Sequence, residues 1–335
     1  MKICVVGAGA IGGMLAVKLA ETGQDVTVII RGANLQAVRD NGMKLIMDDG
    51  SEHVARLNAT DRIAGAGPQD IVVLGMKAHQ LTAVAAEIQT LIGPETTIIT
   101  AQNGVPWWYF FKHGGPYEGK RLESVDPGGV IAGHIDVDKV IGSIVYPAAE
   151  IIAPGVIKHI EGNRFSLGEL DGADTPRIRT IAQLFRDAGF KSPIASDIRT
   201  ELWVKLWGNC TFNPVSALTH ATLADICQFP ETRELAAHMM REAQTVAEKL
   251  GIVFRISLEK RIAGAEAVGQ HKTSMLQDVE AGRPMELGAL VASVIELGKI
   301  TDTPMPYLTA VYACASLLAK SLRDHKGRLR VETTV

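Results

Sequence analysis

The run of glycines at the start of this chain constrains it more than any other feature. The N-terminus reads MKICVVGAGAIGG. A short Val/Ile-rich stretch over 2–6 leads directly into Gly7-Ala8-Gly9-Ala10-Ile11-Gly12, a GxGxxG pattern. Apolar residues then recur at helical spacing at Ile11, Leu15 and Leu19. In a strand–turn–helix context each glycine has a physical task. Gly7 permits the tight turn, Gly9 lets a pyrophosphate approach the backbone, and Gly12 lets helix and strand pack closely. The helix start adds N–H groups and partial positive charge. An ordinary glycine turn has no need to follow a strand and open a helix. The expectation is a dinucleotide-binding unit, with Gly7, Ala8, Gly9, Ala10, Ile11 and Gly12 holding the cofactor.

Continuous apolar strands are predicted over 25–30, 70–76 and 96–101, alternating with helices over 11–22 and 79–91. Such alternation implies a parallel sheet covered on both faces. Further strands are expected over 130–134, 140–147 and 155–160, extending that sheet antiparallel, then a helix over 175–189 and a last strand over 191–195. From Ser196 onward only helical periodicity is found, over 197–213, 230–250, 285–299 and 304–320. This predicts an α/β Rossmann-type N-terminal domain over 1–195 and an all-α C-terminal domain over 196–335.

Composition narrows the function. Lys plus Arg is 34 and Asp plus Glu is 37, for a net charge of -3, which argues against binding nucleic acid by phosphate neutralisation. The four cysteines, Cys4, Cys210, Cys227 and Cys314, form no CxxC pair and have no histidine at ligand spacing. Neither a disulfide framework nor a metal site is expected, and unpaired thiols suit a reducing compartment. With no signal peptide and no long uncharged apolar stretch, the chain reads as a cytoplasmic protein without a membrane partner. Long apolar helices such as 304–320 are compatible with a homodimer.

The end of the second strand selects the dinucleotide. NAD-binding units usually carry Asp or Glu there, on the ribose hydroxyls. Here Arg31 stands 31 − 12 = 19 residues after Gly12, with no acidic group close by. A guanidinium forks onto phosphate oxygens, so the expected cofactor is NADP(H). Beyond the third and fourth strands come Met76-Lys77-Ala78 and Gln102-Asn103-Gly104-Val105. Lys77 can reach phosphates or a carboxylate. Asn103 can bind the nicotinamide ribose or the substrate, although Asn-Gly is also a strong turn former.

The second half carries a further pattern. In TELWVKLWGNCTFN (200–213), Lys205, Asn209 and Asn213 lie at i, i+4 and i+8 and share one helical face. Asparagine is a poor helix former, which argues against a bland polar stripe. Pro214 should kink or end the helix. Chemically the stripe suits reduction of a 2-oxo acid. An ammonium stabilises the developing alkoxide and delivers the proton, while amides bind carboxylate or hydroxyl. A polar island follows at 271–278, with Glu286 downstream. Ser274 could hydrogen-bond a carboxylate, or Thr273 or Ser274 could simply cap a helix. Glu286 could bind a substrate hydroxyl or orient Lys205.

Taken together these segments resemble the 2-dehydropantoate 2-reductase (ketopantoate reductase) family. The likeness runs through GAGAIGG, Arg31, MKA at Lys77, QNGV at Asn103, KLWGNCTFNPVSAL over 205–218 and TSMLQD over 273–278. It implies a helical C-terminal domain of the 6-phosphogluconate-dehydrogenase kind and NADPH-dependent reduction of ketopantoate to pantoate. Lys205 would then be the general acid. Asn103, Asn209, Asn213 and Ser274 would hold substrate, and Glu286 would lie against the cofactor or a substrate hydroxyl. Two departures stand out. Leu223 occupies a place where the family usually has another asparagine, and an aromatic run, Trp107-Trp108-Tyr109-Phe110-Phe111, follows QNGV. Those rings either fill a core or reshape the pocket for another 2-oxo acid. The alternatives are a same-fold reductase of a different 2-oxo or 3-hydroxy acid, or a non-catalytic NADP(H)-binding sensor.

Overall fold

The computed structural model describes residues 1–331. Its strands are β1 (Lys2–Val6), β2 (Asp25–Ile29), β3 (Met43–Ile46), β4 (Glu52–Ala55), β5 (Asn58–Thr60), β6 (Gln69–Leu74), β7 (Ile92–Thr100), β8 (Val140–Val145), β9 (Ala148–Ala153), β10 (Val156–Glu161) and β11 (Phe165–Glu169). Helices α1 (Ala10–Glu21), α2 (Gly32–Asn41), α3 (Ala78–Leu81), α4 (Ala85–Ile88), α5 (Val130–His134) and α6 (Pro176–Asp187) accompany them. The rest of the chain is helical: α7 (Ile198–Thr219), α8 (Leu223–Gln228), α9 (Pro230–Lys249), α10 (Leu258–Ala267), α11 (Ser274–Ala281), α12 (Ser293–Ile300) and α13 (Pro306–Asp324).

The main sheet has the order β11-β8-β7-β6-β1-β2-β5. Its strands run parallel from β8 to β5, and only β11 is antiparallel, to β8. Ile3 to Val6 of β1 and Ile71 to Leu74 of β6 are buried, as strands covered on both faces must be. The chain leaves β1 toward β2 on one side and later returns to β6 on the other. That reversal opens a crevice at the carboxyl ends of β1 and β6, where open α/β sheets bind ligands.

Alternation did not reveal a second sheet, β4-β3-β10-β9. The strand expected over 155–160 belongs here as β10, parallel to β3 and antiparallel to β9, and does not extend the main sheet. Helix α1 lies against strands of both sheets. A Cβ on Gly13 would come within 2.2 Å of Ile157 Cδ1 and 2.9 Å of Met43 Sδ. Being covered on two sides explains why Gly12 to Val17 are all buried.

Three further expectations differ. Residues 130–134 form helix α5 instead of a strand. The Asp126 carboxylate accepts from the N–H groups of Ile131 (2.7 Å) and Ala132 (3.1 Å), satisfying first-turn donors that no strand would present. The stretch 191–195 makes only isolated bridges, Lys191 to Arg164 and Ile194 to Leu167. Helix α7 continues through Pro214 to Thr219. Residues 210–217 are buried, so packing around the helix outweighs the proline's local penalty.

The chain divides into two compact units, Met1–Arg121 with Asp126–Glu201, and Leu122–Val125 with the chain from Leu202 onward. The division falls at 201/202, inside α7, six residues beyond 195/196. Residues 198–201 are tied into the first unit by side chains such as Arg199, which donates to Tyr109 O at 2.8 Å. The segment Leu122–Val125 is held in the second unit by Glu296, whose carboxylate accepts from Glu123 N (2.8 Å) and Ser124 N (2.9 Å).

Candidate functional site

In the first unit the glycine loop is built from backbone. Gly7 follows β1 with φ +87°, a conformation that favours glycine. A Cβ there would lie 2.6 Å from Met76 N and 2.8 Å from its Cα, at the exit of β6. A Cβ on Gly12 would lie 2.5 Å from the Gly7 carbonyl oxygen and 3.1 Å from Val5. These two glycines thus serve close packing. Gly9 is different: it is the N-cap of α1, and a Cβ on it would meet nothing within 4 Å. The space in front of it is open at a helix N-terminus, where first-turn N–H groups lack carbonyl partners within the helix. The arrangement suits a pyrophosphate laid against Gly7 to Gly12.

Arg31 caps the start of α2 just beyond β2 and is exposed. Lys77 caps α3 just beyond β6. Gln102 Nε2 donates to Met76 O at 3.1 Å, joining the loop that carries Asn103 to the loop that carries Lys77. The aromatic run after Asn103 is buried from Trp107 to Phe110, which favours the core reading of those rings.

In the second unit, α7 carries Lys205, Asn209 and Asn213 on one face, as their spacing requires. Trp203, Leu206 and Trp207 are buried, and Trp207 Nε1 donates to Met240 O at 2.8 Å. Asn213 is buried and Lys205 and Asn209 half-buried. Desolvation pulls the Lys205 ammonium down from its ordinary 10.5 to about 8, while the negative charge of Glu286 pushes the other way. Burial is the larger effect. Glu286 precedes a π-helical turn, Gly288–Ala292, that runs into α12. Such turns often sit at functional positions.

The polar island resolves into separate roles. Thr273 is the N-cap of α11, its hydroxyl accepting from Leu276 N at 3.3 Å. Ser274 is the first helical residue and is exposed, so its hydroxyl is left out of the cap. Asp278 pairs with Arg283 at 2.9 Å, and Lys272 pairs with Glu280 at 2.8 Å. Leu223 opens α8 and its N–H donates to His271 O at 3.1 Å, tying that turn to the segment before Ser274. Sequence reasoning missed Arg199 altogether, because an arginine near a helix start carries no sign that it will be buried.

Comparison with known proteins fits this picture. A family model described as ketopantoate reductase PanE/ApbA matches residues 3–108, and one for its C-terminal part matches residues 197–319. A 2-dehydropantoate 2-reductase of Mesorhizobium japonicum is 53% identical over 320 residues, covering 95% of this chain and 98% of that protein. The chain belongs to the ketopantoate reductase family. A Ralstonia solanacearum protein proposed to be a ketopantoate reductase superposes with a TM-score of 0.91 at 41% identity, over 96% of this chain and 98% of its own. The family fold extends further. A D-mandelate dehydrogenase solved with NADH and anilino(oxo)acetate superposes with a TM-score of 0.82 over 96% of this chain and 99% of its own. At 20% identity that likeness is one of fold alone. This family member is an oxidoreductase with a Rossmann-type nucleotide unit followed by helices. Among its described residues no helix is long and apolar enough to cross a membrane.

Proposed function

We propose that the protein reduces 2-dehydropantoate to (R)-pantoate with NADPH, using Lys205 as general acid. The observation that carries this reading is the lysine face of α7. It presents an ammonium whose proton affinity burial has lowered to about 8, with a carboxylate nearby and two amides on the same face. A general acid works best with a pKa near the working pH. The 53% identical relative named for this reaction supports the choice of substrate.

Gly7, Ala8, Gly9, Ala10, Ile11 and Gly12 would hold the pyrophosphate. Arg31 would pair with the 2′-phosphate, and Lys77, Asn103 and Glu286 would border the rest of the cofactor. NADPH, when bound, supplies the hydride for the carbonyl carbon. Lys205 stabilises negative charge developing on the carbonyl oxygen and then donates its Nζ proton there. Asn103, Asn209 and Asn213 orient the oxo acid through amide hydrogen bonds without adding charge, and the Ser274 hydroxyl binds its carboxylate at the start of α11. Glu286 keeps Lys205 protonated against the pull of burial. We take the enzyme to act in the cytoplasm on this free small molecule.

NADPH oxidation by the purified protein, followed by absorbance across a panel of 2-oxo acids, tests the reading. Ketopantoate should be the best substrate. A second reading, reduction of another 2-oxo acid, is favoured by Leu223, an apolar residue in a turn tied to the Ser274 segment. A different best substrate would establish it. NADPH binding without turnover of any panel member would point to a sensor.

A further inference from the structure

Arg199 is 7% exposed, and among the described residues no carboxylate lies within ion-pair distance of it. A buried cation is costly unless its donors are satisfied. Here three backbone carbonyls do so. Nε donates to Tyr109 O (2.8 Å), Nη2 to Phe111 O (2.6 Å) and Nη1 to Leu170 O (2.5 Å). The guanidinium also lies 5.8 Å from the Trp108 ring and 5.9 Å from the Tyr109 ring. Burial makes the charged form less favourable, so the bonds to carbonyls must hold it.

The turn it grips continues directly from Gln102-Asn103-Gly104-Val105. The turn is fixed on its other sides too. Trp108 Nε1 donates to Thr100 Oγ1 in β7 at 3.0 Å. The same ring lies over Gly142 of β8, where a Cβ would come within 3.0 Å of it. Two of its own N–H groups are spent internally, Tyr109 N on Pro106 O and Phe111 N on Trp108 O. Arg199 takes the carbonyls of Tyr109 and Phe111 on the remaining side of this turn. The guanidinium holds its donors in a rigid planar fork that meets both carbonyls from one face, a geometry that a flexible ammonium does not reproduce.

We propose that Arg199 is a positioning residue: it locks the turn 106–111 and thereby sets the Asn103 amide. The inference rests on the role given to Asn103 under the proposed function. A double-mutant cycle separates this from a general structural role. Asn103→Ala and Arg199→Lys should each lower kcat/KM for the oxo acid about tenfold or more, and the double variant should fall no further than Asn103→Ala alone. Losses that multiply would overturn the inference while leaving Asn103 in its role. A neutral Asn103→Ala would instead sink the assignment of Asn103, and the inference with it. Hydrogen exchange gives a readout independent of turnover. Arg199→Lys should speed exchange at residues 104–111 and leave α1 unchanged, and protection unchanged at 104–111 would overturn the proposal.

Discussion

The glycine loop of the first unit and the lysine face of the second are built on opposite principles. The loop is six contiguous residues whose working atoms are backbone. What matters there is the absence of side chains: Gly7 and Gly12 have no room for a Cβ, and Gly9 leaves open space. The face is a set of side chains at one-turn intervals on α7, with the charge of Glu286 acting on it from a distant stretch of chain. Its chemistry depends on burial and charge. The contrast teaches where each half is fragile. The loop should fail through added bulk or altered charge at its rim, and the face through loss of a single functional group.

Lys205→Ala is the most severe test of the contrast. It should lower kcat about a thousandfold or more, since both proton donation and charge stabilisation go. NADPH affinity, read by fluorescence titration, should barely change. Near-normal turnover would remove the face from the mechanism. Arg31→Asp acts on the other half. It should lower kcat/KM for NADPH about a hundredfold by replacing a charge-assisted contact with repulsion, and shift preference toward NADH. An unchanged NADPH preference in steady-state assays would refute the 2′-phosphate assignment.

The pH profile sharpens the comparison next. A general acid must carry its proton, and Lys205 loses it as pH rises through about 8. Under substrate saturation kcat should therefore hold on the acid side and fall about tenfold per pH unit well above that point. Removing the opposing charge with Glu286→Gln should move the break to lower pH, and a break that stays put would exclude electrostatic support from Glu286. Gly208→Ala is the mildest change. A Cβ there would lie 2.3 Å from Arg261 Nη2. Calorimetry should show a change of less than about 1 kcal/mol, because the guanidinium end of Arg261 can shift and alanine favours a helix interior over glycine, with NADPH binding intact.

Much of this was legible because it is local. A GxGxxG placed between a strand and a helix carries its own explanation, and so does a Lys–Asn–Asn spacing of one turn. The strands that were missed or misplaced lacked such signals. Strands β3 and β4 are only four residues long, and β9 is half-exposed to exposed, so neither a long apolar run nor a strong alternation marks them. Residues 130–134 read as a strand from their apolar start, and the helix shows only once Asp126 is seen accepting from its first-turn N–H groups. Pro214 does not end α7, because packing around the buried helix outweighs its local penalty.

The sequence alone determined the elements whose information lies within a turn or two of chain: the glycine loop, the parallel strands and the shared face of Lys205, Asn209 and Asn213. The tertiary structure decided how readily that lysine gives up its proton, which carboxylate stands near it, and that Arg199 would be buried against three carbonyls. Those properties arise from desolvation and from charges brought together across long stretches of chain, and no local pattern of residues records them.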